Sequence, residues 1–147
     1  MAKIYLASPF FDAEQVTRIE KIEQALTQNP TVTSYFSPRK YKLQGDYQEF
    51  TKPWAQAIYR VDMEHLMAAD AVLAIVDFVD DQVDSGTAYE IGAAVQMKKP
   101  VIVFQEKTAT VNLMISESLQ AYLKDPAAVA GYDFEKLPRS EYEGPRI

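Results

Sequence analysis

The stretch AVLAIVDF, Ala71–Phe78, shows no polar face until it reaches Asp77. An extended segment that is apolar on both sides has to be covered on both sides, which is the condition of a central strand in a parallel sheet. Two other runs share this character: KIYLA at Lys3–Ala7, closed by Ser8-Pro9, and PVIVF at Pro100–Phe104. TVTSYF at Thr31–Phe36 is β-branched and aromatic and reads as a further strand.

Helical spacing fills the gaps between these runs. Asp12 is placed to cap a helix to about Gln28, with Val16, Ile19, Ile22 and Leu26 on one face and Asn29-Pro30 as its stop. Pro53 suits the first turn of a second helix ending near Ala69. Thr87 to about Met97 reads as a third helix and Val111–Lys124 as a fourth. Ser37–Lys52 is polar, contains Pro38 and Gly45, and reads as a long loop of the kind that often carries function. The tail from about Tyr132 reads as extended. Strands alternating with helices imply an α/β fold: a mostly parallel, doubly wound sheet with helices on both faces. A length of 147 residues without internal repeats implies one domain, 1–147. Ligands of such sheets bind beyond the carboxyl ends of the strands. Ser8–Phe11, the acidic stretch after Asp77 and the loop after Phe104 fall there.

Composition narrows the chemistry. With 48% hydrophobic residues the chain is expected to be globular rather than disordered. A net charge of −6 argues against a nucleic-acid partner, which needs a clustered basic face. The absence of cysteine excludes disulfides, thiolate metal sites and cysteine nucleophiles. A single histidine, His65, leaves no basis for a multi-histidine metal site or a Ser-His-Asp triad. The glycines at 45, 86, 92, 131 and 144 form no phosphate-binding loop, so a nucleotide held mainly by its phosphates is disfavoured. No apolar run is long enough to span a membrane and the N-terminus turns polar too soon for a signal peptide, so the cytoplasm is the expected compartment. Carboxylates, hydroxyls and amides must do the work.

Three acids stand out. Thr87-x-x-Glu90 has the spacing of a helix capping box, but Glu90 also shares a face with Ala93, Ala94 and Met97, and a carboxylate on an apolar stripe at the crevice is a candidate nucleophile. Asp84 can be a helix cap or a working acid. Asp62 lines up with Ala55, Ile58, Tyr59, Leu66 and Ala69; an acid in such a stripe is either hydrogen-bonded to a loop or used. His65 on the adjoining face reads as a partly exposed structural histidine. Asp77, Asp80 and Asp81 do not match a calcium loop and read as weaker candidates. Tyr5, Phe10, Phe11, Trp54 and Tyr59 could build an aromatic floor for a planar ligand.

KIYLASPFF, Tyr59-x-x-Asp62, Asp84-Ser-Gly86-x-x-x-Glu90-Ile-Gly and Val111-Asn112-Leu-Met114 follow one another in an order that resembles the nucleoside 2-deoxyribosyltransferases. The resemblance spans essentially the whole chain. It implies a flavodoxin-like or Rossmann-like sheet of five strands and an enzyme that moves a 2-deoxyribosyl group between nucleobases, in the setting of nucleobase salvage. The implied chemistry is a retaining double displacement through a covalent ester on Glu90. Tyr5 would hydrogen-bond Glu90, and Asp62 would exchange a proton with the base. Asp84 and Asn112 would hold the sugar hydroxyls, Asn112 coming from a neighbouring subunit, and Met114 would cover the site. Gly86, Phe10 and Phe11 would line the substrate site, and Gln44 is the candidate for a base-binding amide in the long loop. No metal or cofactor is implied. The partners are 2′-deoxyribonucleosides and free bases, and the implied assembly is a homohexamer of dimers. The family's usual C-terminal tyrosine is absent; the chain ends in Ile147.

Two other functions fit parts of the pattern. A deoxynucleoside 5′-monophosphate N-glycosidase would use the same glutamate with water, but Asp84 would repel its phosphate. A non-catalytic nucleoside-binding module would keep Glu90 as a cap only. A response-regulator-like domain would need paired acids after the first strand, where Ser8-Pro9 stands instead.

Overall fold

The computed structural model describes residues 1–147. Its strands are β1 (Ala2–Ala7), β2 (Val32–Phe36), β3 (Ala71–Ile75), β4 (Val101–Phe104) and β5 (Ala121–Leu123). They form one sheet in the order β2-β1-β3-β4-β5 with every neighbouring pair parallel, the flavodoxin-like order. The helices are α1 (Ala13–Gln28), α2 (Lys52–Ala68), α3 (Ser85–Gln96), α4 (Leu113–Ser116) and α5 (Pro126–Gly131), with a short 3-10 turn at Pro38–Lys40. None is long and apolar enough to cross a membrane.

The period-two alternation of the strands divides the core. Ile4 and Leu6 of β1 and Leu73 and Ile75 of β3 pack against Ile19, Ile22 and Leu26 of α1 and Val129 of α5. Tyr5 and Ala7 with Val72, Ala74 and Val76 face the other way, against Leu66 of α2, Ile91 and Ala94 of α3, and Ile115 of α4. This alternation matters for function, because it aims Tyr5 at α2 and α3.

The first two helices start where their sequence signals put them. Asp12 accepts from the Gln15 N–H, and Asn29 closes α1 with its own N–H on the Leu26 carbonyl. Lys52-Pro53 opens α2.

The segment after Val111 departs from the expected single helix to Lys124. Asn112 caps only α4, which spans four residues. The Ser118 hydroxyl then donates back to the Met114 and Ile115 carbonyls, competing with helix continuation. Ala121–Leu123 is taken by the sheet, pairing with Ile102–Phe104 of β4. The α5 helix, which the sequence pattern did not indicate, is capped by Asp125 and packs Val129 into the α1 face. The tail beyond Tyr132 has no regular element but is anchored: Tyr132 and Phe134 enter one core layer, Tyr142 the other, and Arg146 bridges to Val111.

Candidate active site

Three elements converge at the carboxyl edge of the sheet. Tyr5 projects from β1, Asp62 from α2 and Glu90 from α3. The Tyr5 hydroxyl donates a hydrogen bond to Glu90 Oε2. Tyr5 is fully buried, whereas Asp62 and Glu90 are half-buried.

The electrostatics follow from that placement. Burial pushes Glu90 up to about 7; the Tyr5 hydrogen bond pulls the other way, and the charges of Asp62 and Asp84 add to the push. Burial likewise raises Asp62 to about 6, opposed only by the charge of His65. Tyr5 is driven far above the ordinary phenol range, first by burial and then by Glu90 and Asp62, so it remains a donor. Tyr5, Asp62, Asp84 and Glu90 therefore act on one another within one site. No hydrogen bond settles Asp62, so the expectation that a loop might satisfy it is not met.

The capping-box interpretation of Thr87 and Glu90 is overturned. The helix begins earlier, at Ser85, with Asp84 as its N-cap. Asp84 Oδ2 accepts from the Thr87 N–H at 2.9 Å and from its hydroxyl at 3.0 Å. Glu90 stands a turn and a half into α3, free of capping work. Asp84 is thus a cap, and at the same time faces Glu90. Gly86 lies against it: a Cβ there would come within 3.2 Å of Asp84 Oδ2.

The aromatic side chains form separate clusters rather than one floor. Phe10 stacks on Phe11 with centroids 6.0 Å apart, and Phe11 meets the edge of Phe78 at 6.1 Å. Trp54 pairs with Phe50, and the Tyr59 and Tyr89 hydroxyls meet at 3.0 Å across α2 and α3. Tyr5 instead stacks on Phe36, centroids 5.7 Å apart. Phe36 escaped the sequence reading, although it closes β2 directly beside Tyr5 in the strand register. Gln44 lies exposed on the long loop.

Asn112 and Met114 lie elsewhere. Asn112 caps α4, its Oδ1 accepting from the Met114 N–H at 2.9 Å, and both residues are exposed. They line a concavity of about 790 Å³ with Ala88, Ile91, Gly92 and Val95 of α3. At about 3.6 residues per turn, those α3 positions centre nearly half a circuit from Glu90. Ile147 lines the same concavity, and its backbone carbonyl oxygen accepts from the Leu113 N–H at 2.8 Å. No group of three or more histidine, cysteine or acidic side chains is disposed to hold a metal ion.

A sequence model of the family described as nucleoside 2-deoxyribosyltransferase matches residues 4–135. The chain belongs to the nucleoside 2-deoxyribosyltransferase family. It is an enzyme of deoxyribosyl transfer. The nucleoside deoxyribosyltransferase of Limosilactobacillus fermentum is 31% identical over 135 residues, covering 83% of this chain and 79% of that protein. A solved 2-deoxyribosyltransferase from Bacillus psychrosaccharolyticus is 40% identical, with a TM-score of 0.86 over 96% of this chain and 99% of its own. A protein of Enterococcus faecalis V583, 19% identical with a TM-score of 0.72 over 92% and 98% of the two chains, shares the fold.

Proposed function

We propose that the enzyme exchanges the base of 2′-deoxyribonucleosides by a retaining double displacement on Glu90. The observation that carries this is the Tyr5–Glu90 hydrogen bond. It engages Oε2 and leaves Oε1 to meet the sugar. In the first half-reaction Glu90 bonds to C1′ while the C1′–N bond breaks. The electron pair leaves on the base, which takes its proton from Asp62. In the second, a new base attacks C1′, releases the Glu90 carboxylate and returns a proton to Asp62. The two halves mirror each other, so no cofactor is consumed. Deoxyribosides suit this route because an oxocarbenium-like centre forms more readily without a 2′-hydroxyl. Asp84 holds the sugar, and Phe10, Phe11 and Gln44 border the entering base.

Protein incubated with 2′-deoxyinosine or thymidine and excess adenine should yield 2′-deoxyadenosine. Glu90→Ala should fold and lose at least roughly 1000-fold in rate. Free base without the new nucleoside would mean hydrolysis. A near-normal Glu90→Ala would remove the nucleophile.

The working form is a homo-oligomer in which Asn112 and Met114 serve the neighbouring subunit's site. Their distance in the fold from Glu90, on the far side of α3, supports this. Glu90→Ala and Asn112→Ala chains, each inactive alone, should regain roughly a quarter of the wild-type activity when mixed under subunit exchange. A mixture no better than its parents would place Asn112 outside the shared site.

A further inference from the structure

The carboxylate cluster rests on a histidine that the mechanism above does not use. His65 lies one turn after Asp62 on α2. Its Nδ1–H donates to the Val61 carbonyl at 2.8 Å, which pins the ring against its own helix. The pinned ring lies flat on Phe36, with centroids 3.7 Å apart and planes 15° from parallel. Phe36 in turn stacks on Tyr5 at 5.7 Å and 28°, and the Tyr5 hydroxyl reaches Glu90. His65, Phe36 and Tyr5 form one column from α2 across β2 and β1 to the nucleophile. Tyr41, from the loop after the 3-10 turn, leans on Phe36 at 5.9 Å and on His65 at 6.1 Å.

We propose that His65 is a positioning residue of the transfer reaction, tying the nucleophile and the acid together from one ring. Through the stacked column it fixes the angle at which Tyr5 presents its hydroxyl to Glu90. Through its charge, one turn from Asp62, it limits how tightly that acid holds the proton destined for the leaving base. The groups around it are few. Asp62 shares its helix, Tyr41 comes from the loop and Tyr5 lies at the far end of the column on β1. Glu90 and Asp84 stand beyond Tyr5 on α3 and its cap. Among these charged groups, His65 is the one whose charge opposes the burial of Asp62.

The proposal rests on Glu90 as nucleophile and Asp62 as acid, so its test carries Glu90→Ala alongside. Base exchange is followed from pH 4.5 to 9 for wild type, His65→Ala and His65→Phe, with thermal melting of each. His65→Ala should lower kcat about tenfold with KM nearly constant, because the column loses its end. His65→Phe restores the ring without the charge. It should recover most of that loss, while the alkaline limb of kcat/KM moves up by roughly half a pH unit as Asp62 holds its proton more tightly. Two results would overturn the proposal. One is a set of variants whose kcat and pH limbs match wild type. The other is a loss of activity that only follows the loss of melting temperature, with unshifted limbs in His65→Phe. If Glu90→Ala itself keeps its activity, the nucleophile assignment fails instead, and His65 falls with it for a different, separately visible reason.

Discussion

Asp77 and Glu90 are two carboxylates enclosed at the same edge of the sheet, and their surroundings could hardly differ more. Asp77 follows β3 with its side chain wholly buried, and it receives the Glu106 and Lys107 N–H groups at 2.7 Å each. Arg18, itself buried on α1, approaches Asp77 to 3.9 Å and donates to Glu106 at 2.9 Å. Glu90 has one phenolic donor, apolar neighbours, and other acids nearby. A carboxylate surrounded by backbone donors and a cation holds loops in place. One with a single donor keeps a raised proton affinity and a reason to react. Strand alternation produces the division: Asp77 turns toward α1, while Tyr5 turns toward α3 and meets Glu90.

The sharpest way to break this comparison is to remove each acid and melt the protein. Asp77→Ala takes the acceptor from two part-buried N–H groups and leaves Arg18 short of a counter-charge, at a cost of roughly 3 kcal/mol. Glu90→Gln should go the other way. Its carbonyl can still accept from Tyr5, and its charge is gone. The sign follows from the raised value. Below about 4.5 the carboxyl is protonated in folded and unfolded chains alike, and it favours neither. Between about 4.5 and about 7 the unfolded chain has ionised the group while the folded protein still holds its proton, so stability falls across that window and the loss is complete above it. The lost stability reaches about 3 kcal/mol at pH 8 for a shift of this size. Glu90→Gln should therefore melt higher than wild type at pH 8 and level with it at pH 4. Equal melting at both would mean that the Glu90 charge is as well compensated as that of Asp77.

The sequence made the sheet legible because β3, β4 and the Ile4–Ala7 part of β1 are uninterrupted apolar runs whose only stable home is a covered parallel sheet. The helix caps at Asp12 and the proline start of α2 were equally plain, since their chemistry is local. What failed was the stretch after Val111, where β5 is three residues long and depends on β4 for its existence. Glu90 shows the same limit within the site. Local spacing offered both a capping box with Thr87 and a cap at Asp84; the fold decides for Asp84 and shows that Tyr5, eighty-five residues away in sequence, meets Glu90. Asp62 was legible as a misfit in an apolar stripe. Phe36 and His65 were not, because their stacking depends on β2 lying beside β1 and under α2.

The smaller effect lies in the single donor that separates Glu90 from an unsolvated acid. On the proposed mechanism, transfer needs Glu90 ionised and Asp62 protonated. With values of about 7 and about 6, kcat/KM should peak between them. It should fall below pH 6 as Glu90 gains a proton and above pH 7 as Asp62 loses its own. Tyr5→Phe keeps the ring on Phe36 and deletes only the hydroxyl. Without that hydrogen bond Glu90 binds its proton more tightly, so the acid limb should move up by roughly one unit. At pH 6 the variant should run about tenfold slower than wild type, and the gap should close toward pH 9, where both hold Glu90 ionised. A gap of the same size at every pH would assign the Tyr5 hydroxyl to the transition state rather than to keeping Glu90 charged. The contrast with Asp77 would then lie in the number of donors and not in what the donor does.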